Sequence, residues 1–134
     1  MPSVVVDASA LVDLLLRNPA ASPALFDRLF RSGVELHAPH SVDLEVANGI
    51  RRMWRRGRIT DQDVDEIFET YRLIPIERHA HGPFLHRIWR LRYNHTSYDA
   101  AYVALAEWLD VPLITRDAAL AHSSGHTARI EYVG

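Results

Sequence analysis

"SYDAAYVALAEWLDVPLITRD", residues 97–117, carries a helix, a strand and a carboxylate in succession. Residues 97–109 read as the most strongly marked helix of the chain, "VPLIT" as a short strand, and Asp117 stands just past that strand's carboxyl end. The start of the chain repeats the arrangement. In "VVVDAS", residues 4–9, three consecutive valines suit a strand buried on both faces, and the strand ends in Asp7. Two core strands thus deliver an aspartate at the same relative point.

Outward from these two stretches, elements alternate. Residues 3–7 predict a strand and 8–17 a helix with Leu11, Leu14 and Leu15 on one face. A turn, a second helix from about Pro23 and a stop at Gly33 follow, then a strand at 34–38. A helix from about Ser41 to Arg56 shows an apolar stripe of Val42, Val46, Ile50 and either Met53 or Trp54, and Gly57 ends it. Thr60 opens the next helix, 61–72, and "LIPIE" at 73–77 reads as a strand. Residues 82–93 are helical, with Phe84, Leu85, Ile88 and Leu91 at helical spacing. A short helix at 117–123 and a strand at 128–133 complete the chain.

This alternation predicts an α/β fold: one domain over 1–134, with a central, mainly parallel sheet of about four to five strands flanked by helices. Ligands of such sheets bind beyond the carboxyl ends of strands, where strand order reverses. If strands 3–7 and 111–115 are neighbours, Asp7 and Asp117 share one crevice. A helix antiparallel to its following strand begins where that strand finishes, so Asp99 reaches the same edge. Glu45 lies near the start of the helix at 41–56, on its polar side.

Composition narrows the chemistry. The 134 residues are 48% apolar and 24% charged, as expected of one soluble globular domain. No apolar run has membrane-spanning length and "MPSVVVDAS" lacks signal-peptide organisation, so the expected location is cytoplasmic. Cysteine is absent, which excludes disulfides and thiolate chemistry. Lysine is absent too, all 15 basic residues being arginine, which closes P-loop nucleotide binding. A net charge of −2 gives no overall basic field.

Each acid taken singly has a structural explanation. Asp7 and Asp117 precede helices as N-caps would, and Asp99 and Glu45 sit where a helix dipole favours negative charge. Together they are harder to dismiss: four carboxylates in one crevice repel unless some are protonated or a cation is present. An oxygen-only set suits Mg2+ or Mn2+. Such an ion activates water and stabilises phosphoryl charge, so metal-assisted phosphodiester hydrolysis is the natural reaction class.

"VVVDASAL", "LEVAN" and the block at 97–117, in that order, resemble the PIN-domain ribonucleases, and more narrowly the VapC toxins of type II toxin–antitoxin pairs. The resemblance covers nearly the whole chain. It implies that Asp7, Glu45, Asp99 and Asp117 are the catalytic acids, with Asp7, Asp99 and Asp117 binding the metal. Glu45 would orient or deprotonate the attacking water, and Asn48 and Thr115 would support the site. It further implies cleavage of single-stranded or looped RNA to leave a 5′-phosphate, inhibition of translation, a VapB-type antitoxin partner and a homodimer.

"RRMWRRGR" at 51–58 is the one concentrated basic stretch, and Arg51, Arg52 and Arg55 are expected to contact RNA phosphates. Against this stands pairing with the acids of the following helix. Trp54 is expected in a core or interface, Tyr98 and Tyr102 against the sheet, and Asp13, Asp43 and Glu107 in surface pairs. The histidines read as solvent-exposed, with His79 and His81 lacking convincing ligand geometry. A phosphoryl-transfer receiver or a haloacid-dehalogenase-like phosphatase needs a lysine and is closed. A catalytically silent PIN-like RNA- or protein-binding module stays open, as does a PIN nuclease of RNA processing without an antitoxin.

Overall fold

The computed structural model describes residues 2–17, 22–31 and 33–133. The turn expected at 18–21 lies outside them. Five strands, β1 (Ser3–Val6), β2 (Glu35–Pro39), β3 (Ile76–His79), β4 (Leu113–Thr115) and β5 (Ile130–Tyr132), form one sheet in the order β3-β2-β1-β4-β5. Every pairing is parallel. Parallel neighbours need crossovers, and helices supply them. They are α1 (Ala8–Leu15), α2 (Ser22–Phe26, continued by a π-helical turn to Arg31), α3 (Val42–Arg55), α4 (Asp61–Arg72), α5 (Leu85–Arg90), α6 (Ser97–Leu109) and α7 (Ala118–Ala121). No helix among the described residues is long and apolar enough to cross a membrane.

Chain order fixes where the crevice falls. The chain moves outward from β1 through β2 to β3, then returns to β4 on the other side of β1 and continues to β5. Strand order therefore reverses between β1 and β4, where Val5 pairs with Leu113 and Val6 with Ile114. The Asp7 N–H still donates to the Ile114 carbonyl at 3.2 Å, so the aspartate leaves the ladder at its last rung. Val4, Val5 and Val6 are fully buried, as a central strand covered on both faces requires.

Helix α6 is the main cover of one face. Residues Ala100 to Ala106 are all buried, and the helix packs on β1, β2 and β4. Its alanines let the helix lie close to the sheet. Asp110 ends it at a positive φ of 54°, the left-handed turn in which a helix commonly stops. On the other side α1 packs against α3, and Gly49 makes this possible: a Cβ there would stand 2.7 Å from Val12 Cγ2.

Two expected elements shift, and two side chains lie elsewhere than expected. The third strand is Ile76–His79 rather than 73–77, because Leu73 caps α4 and lies in solvent. Residues 82–93 divide into a 3-10 turn at Gly82–Phe84, α5, and turns after Leu91. Tyr102 packs against the sheet as expected, whereas Tyr98 is exposed at the mouth of the cleft described below. Trp54 is half-exposed, its indole N–H donating to Asp61 at 2.7 Å, so of the expected core or interface position the core is not found.

Candidate active site

Asp7, Glu45, Asp99 and Asp117 line one cleft of about 1240 Å³ at the carboxyl edge of the sheet. They arrive from four elements: the end of β1, the first turn of α3, the first turn of α6, and the end of β4. The cap reading is observed, and it leaves the carboxylates facing the cleft. Asp7 accepts from the Ala10 N–H at 3.0 Å as the N-cap of α1, and Asp117 accepts from Ala119 and Leu120 as the N-cap of α7.

Two hydroxyls tie the strand ends to each other. Ser9 Oγ donates to Asp7 Oδ1 at 2.7 Å and accepts from the Arg116 N–H at 3.1 Å. Thr115 Oγ1 donates to Asp7 Oδ2 at 2.5 Å and accepts from the Asp117 N–H at 2.9 Å. Each hydroxyl thus couples the turn after β4 to the carboxylate after β1. Glu45 is held from one side only: Ser41 Oγ at 3.0 Å and Tyr102 OH at 2.9 Å both donate to Oε2, and Oε1 has no protein donor among the described residues. The Asp99 carboxylate accepts no hydrogen bond among the described residues, though its N–H donates to the Thr96 cap.

The electrostatics of this arrangement are unfavourable for the bare protein. Burial pushes the Asp7 carboxyl up to about 6, against the opposing effect of its hydroxyl donors, and Asp117 adds to the rise. Burial also raises Asp99, with Asp117 adding to it, and raises Glu45, with Asp99 adding to it. None of the four makes an ion pair among the described residues. Elsewhere several acids are paired. Asp43 binds Arg78, Glu107 binds Arg87 and is lowered to about 2, and Asp13 binds Arg116 at 2.8 Å. A cluster of oxygen donors left unneutralised, with three members pushed toward protonation, fits a hard divalent cation.

Asn48 lines the same cleft, one turn beyond Glu45. Of the arginines expected to meet RNA, only Arg52 lines it. Helix period explains this: seven residues bring Arg52 back nearly to the azimuth of Glu45, whereas Arg51 and Arg55 point elsewhere. Arg51 lines a separate groove between α3 and α4. Arg56, eleven residues from Glu45, returns to the cleft, and Arg58 joins it after the left-handed turn at Gly57. None of Arg52, Arg56 and Arg58 has an ion-pair partner among the described residues, so the expected pairing with the acids of α4 is not found.

The sequence alone assigns no site role to Ser9, Ser41, Tyr102 or Arg116. Ser9 and Arg116 stood next to the marked aspartates, a usable signal. Ser41 stands four residues before Glu45 at the start of α3, a usable local spacing, whereas Tyr102 joins through tertiary contact with Glu45, which no spacing announces. The expectation of exposed histidines is also corrected: His37 and His95 are buried, the second accepting or donating at Ser123 Oγ, 2.9 Å away.

The PIN domain profile matches residues 4–125. The chain is 45% identical over 130 residues to the ribonuclease VapC12 of Mycobacterium tuberculosis, a match covering 97% of this chain and 98% of that one. With the ribonuclease VapC1 of the same organism it shares 37% identity over 134 residues, 99% of each. Among solved structures it is similar to M. tuberculosis VapC20, a toxin that cleaves the sarcin-ricin loop. That likeness has a TM-score of 0.66 over 92% of this chain and 96% of the other, and at 14% identity it is one of fold.

Proposed function

The chain belongs to the PIN-domain family, among its VapC ribonucleases, and we propose that it is the toxin endoribonuclease of a VapBC-type pair. The observation that carries this reading is the convergence of Asp7, Glu45, Asp99 and Asp117, without an ion pair among the described residues, on one cleft beside unpaired arginines.

In this reading Asp7, Asp99 and Asp117 hold a divalent cation, Mg2+ or Mn2+, which supplies electrostatic stabilisation of the phosphoryl oxygens and a lowered pKa for water. Ser9 and Thr115 fix the Asp7 carboxylate through one donor to each oxygen, so its orientation is set before any ion arrives. Tyr102 and Ser41 hold Glu45 by Oε2, and Oε1 takes the proton of the attacking water. Burial raises the basicity of Glu45, which suits a proton acceptor near neutral pH. Asn48 supports the site from the next turn of α3. Arg52, Arg56 and Arg58 bind phosphates of the RNA and carry no base specificity of their own.

The partner of such a toxin is a VapB-type antitoxin, and an antitoxin arginine in the acidic cleft would supply the missing counter-charge. We further propose action in the cytoplasm and a homodimer. Supporting the latter, Leu85, Trp89, Tyr93 and Trp108, on or near α5 and the end of α6, are all exposed. Sedimentation of the purified chain reads the oligomeric state directly.

The function is tested by incubating total cellular RNA with the purified chain and Mg2+. Discrete fragments are expected, and both EDTA and Asp99→Asn abolish them. Intact RNA with folded, antitoxin-free wild-type protein overturns the proposal in favour of a binding module.

A further inference from the structure

The geometry points to a second metal site, separate from the acid cleft, in which His37, Glu77 and His79 bind a borderline transition ion such as Zn2+ on the β2–β3 edge of the sheet. None of the three lines the cleft.

Strand pairing builds the site. In the parallel register His37 stands opposite Glu77, and Pro39 opposite His79. Side chains alternate along a strand, so Glu77 and His79 share a face, and His37 shares it from the neighbouring strand. Their ligand atoms all lie within 4.8 Å of one another. His37 Nδ1 is 2.9 Å from His79 Nε2 and 3.4 Å from Glu77 Oε2. With metal–ligand bonds of about 2.1 Å, neighbouring ligands are about 3.4 Å apart around a tetrahedral ion and about 3.0 Å around an octahedral one. The two separations from His37 already match these values, and Glu77 and His79, within 4.8 Å of each other, close on an ion by side-chain movement alone.

A further carboxylate stands close behind the first ligand. His37 offers Nδ1 to the site, and its other nitrogen, Nε2, lies 3.8 Å from Glu35 Oε2, the carboxylate oxygen that accepts from Ser3 Oγ. At 3.8 Å this is an approach and not a hydrogen bond, and a small shift of Glu35 would let it accept from Nε2–H and orient a ligating imidazole. His37 is buried to 7% exposure, while Glu77 stands largely in solvent, so the site has a rigid inner member and an open entry. Two imidazoles and one carboxylate suit Zn2+, Co2+ or Ni2+ rather than Mg2+, which takes oxygen donors. The two sites therefore sort ions by ligand chemistry. An ion here would pin the edge strand β3 to β2.

The test is a calorimetric titration of Zn2+ into the full chain carrying Asp99→Asn, with Mg2+ in excess so that the cleft does not dominate. One Zn2+ per chain is expected, together with a higher melting temperature. Adding His79→Gln abolishes both effects, as does adding Glu77→Gln, an exposed position where folding is not at stake. Adding Glu35→Gln weakens binding about tenfold. The proposal is overturned if Zn2+ does not bind, leaving only an imidazole–imidazole hydrogen bond. Zn2+ binding unchanged by His79→Gln and Glu77→Gln overturns it equally, since the ion then sits elsewhere.

Discussion

Asp7 is a stability cost that the fold carries for its site. Its carboxyl is pushed up to about 6 in the folded protein and titrates near the ordinary 3.8 when unfolded. Between those values the folded state binds more protons than the unfolded one, so stability falls as pH rises through that window. Asp99 and Glu45 are shifted in the same direction and add to the effect. Glu107 is lowered to about 2, so its contribution is present above the ordinary carboxylate range and is lost only as pH falls toward that value. The metal-free protein should accordingly melt higher near pH 5 than at pH 7.5, measured by circular dichroism in EDTA. Asp7→Asn should remove the cost, raising stability at pH 7.5 by on the order of 1–3 kcal/mol while abolishing RNA cleavage. A lower melting temperature for Asp7→Asn would show that the hydrogen bonds from Ser9 and Thr115 outweigh the buried charge.

At the scale of elements, the site depends on how closely α3 can approach α1. Gly49 has no room for a side chain, because a Cβ would meet Val12 Cγ2 at 2.7 Å and a β-branched valine has little rotamer freedom to yield. Gly49→Ala should cost about 1–3 kcal/mol by denaturant unfolding. It should also lower kcat, since any retreat of α3 carries Glu45 away from Asp7. Tyr102→Phe separates these effects: it removes one donor to Glu45 at a cost of about 1 kcal/mol and leaves helix packing in place. Its signature is a fall in kcat and a displaced pH profile with little change in KM. Central elements were legible in the sequence because β1 and β4 are buried apolar runs that each lead into an aspartate, and α6 carries an unbroken buried stretch from Ala100 to Ala106 just after Asp99. The edge strand β3 was not. Its burial is partial, Glu77 and Arg78 are both exposed, and the apolar signal of "LIPIE" comes partly from the turn that caps α4. The Tyr102 donor to Glu45 was illegible for a different reason: it lies 57 residues away and meets the carboxylate only where both line the cleft.

For the molecule as a whole, the net charge of −2 hides a local separation, with acids at the base of the cleft and arginines along its wall. Replacing Arg52, Arg56 and Arg58 with alanine should weaken RNA binding and reduce the slope of log K against log salt by about 2, or roughly 0.7 for each phosphate contact with a single strand. Arg51→Ala and Arg55→Ala, outside the cleft, should leave the slope unchanged. Equal effects from both sets would mean that the basic stretch acts as a diffuse charge and not as a wall of the cleft. The central claim is that two core strands end in aspartates because their shared edge, completed by Glu45 and Asp99, holds a cation. Calorimetric titration of Mn2+ into the wild-type chain, with Asp99→Asn and His79→Gln beside it, tests this most directly. Binding to wild type and His79→Gln that is lost in Asp99→Asn is the predicted result. Absence of binding to the wild type, or binding indifferent to Asp99→Asn, would contradict the account and leave the four acids as helix caps.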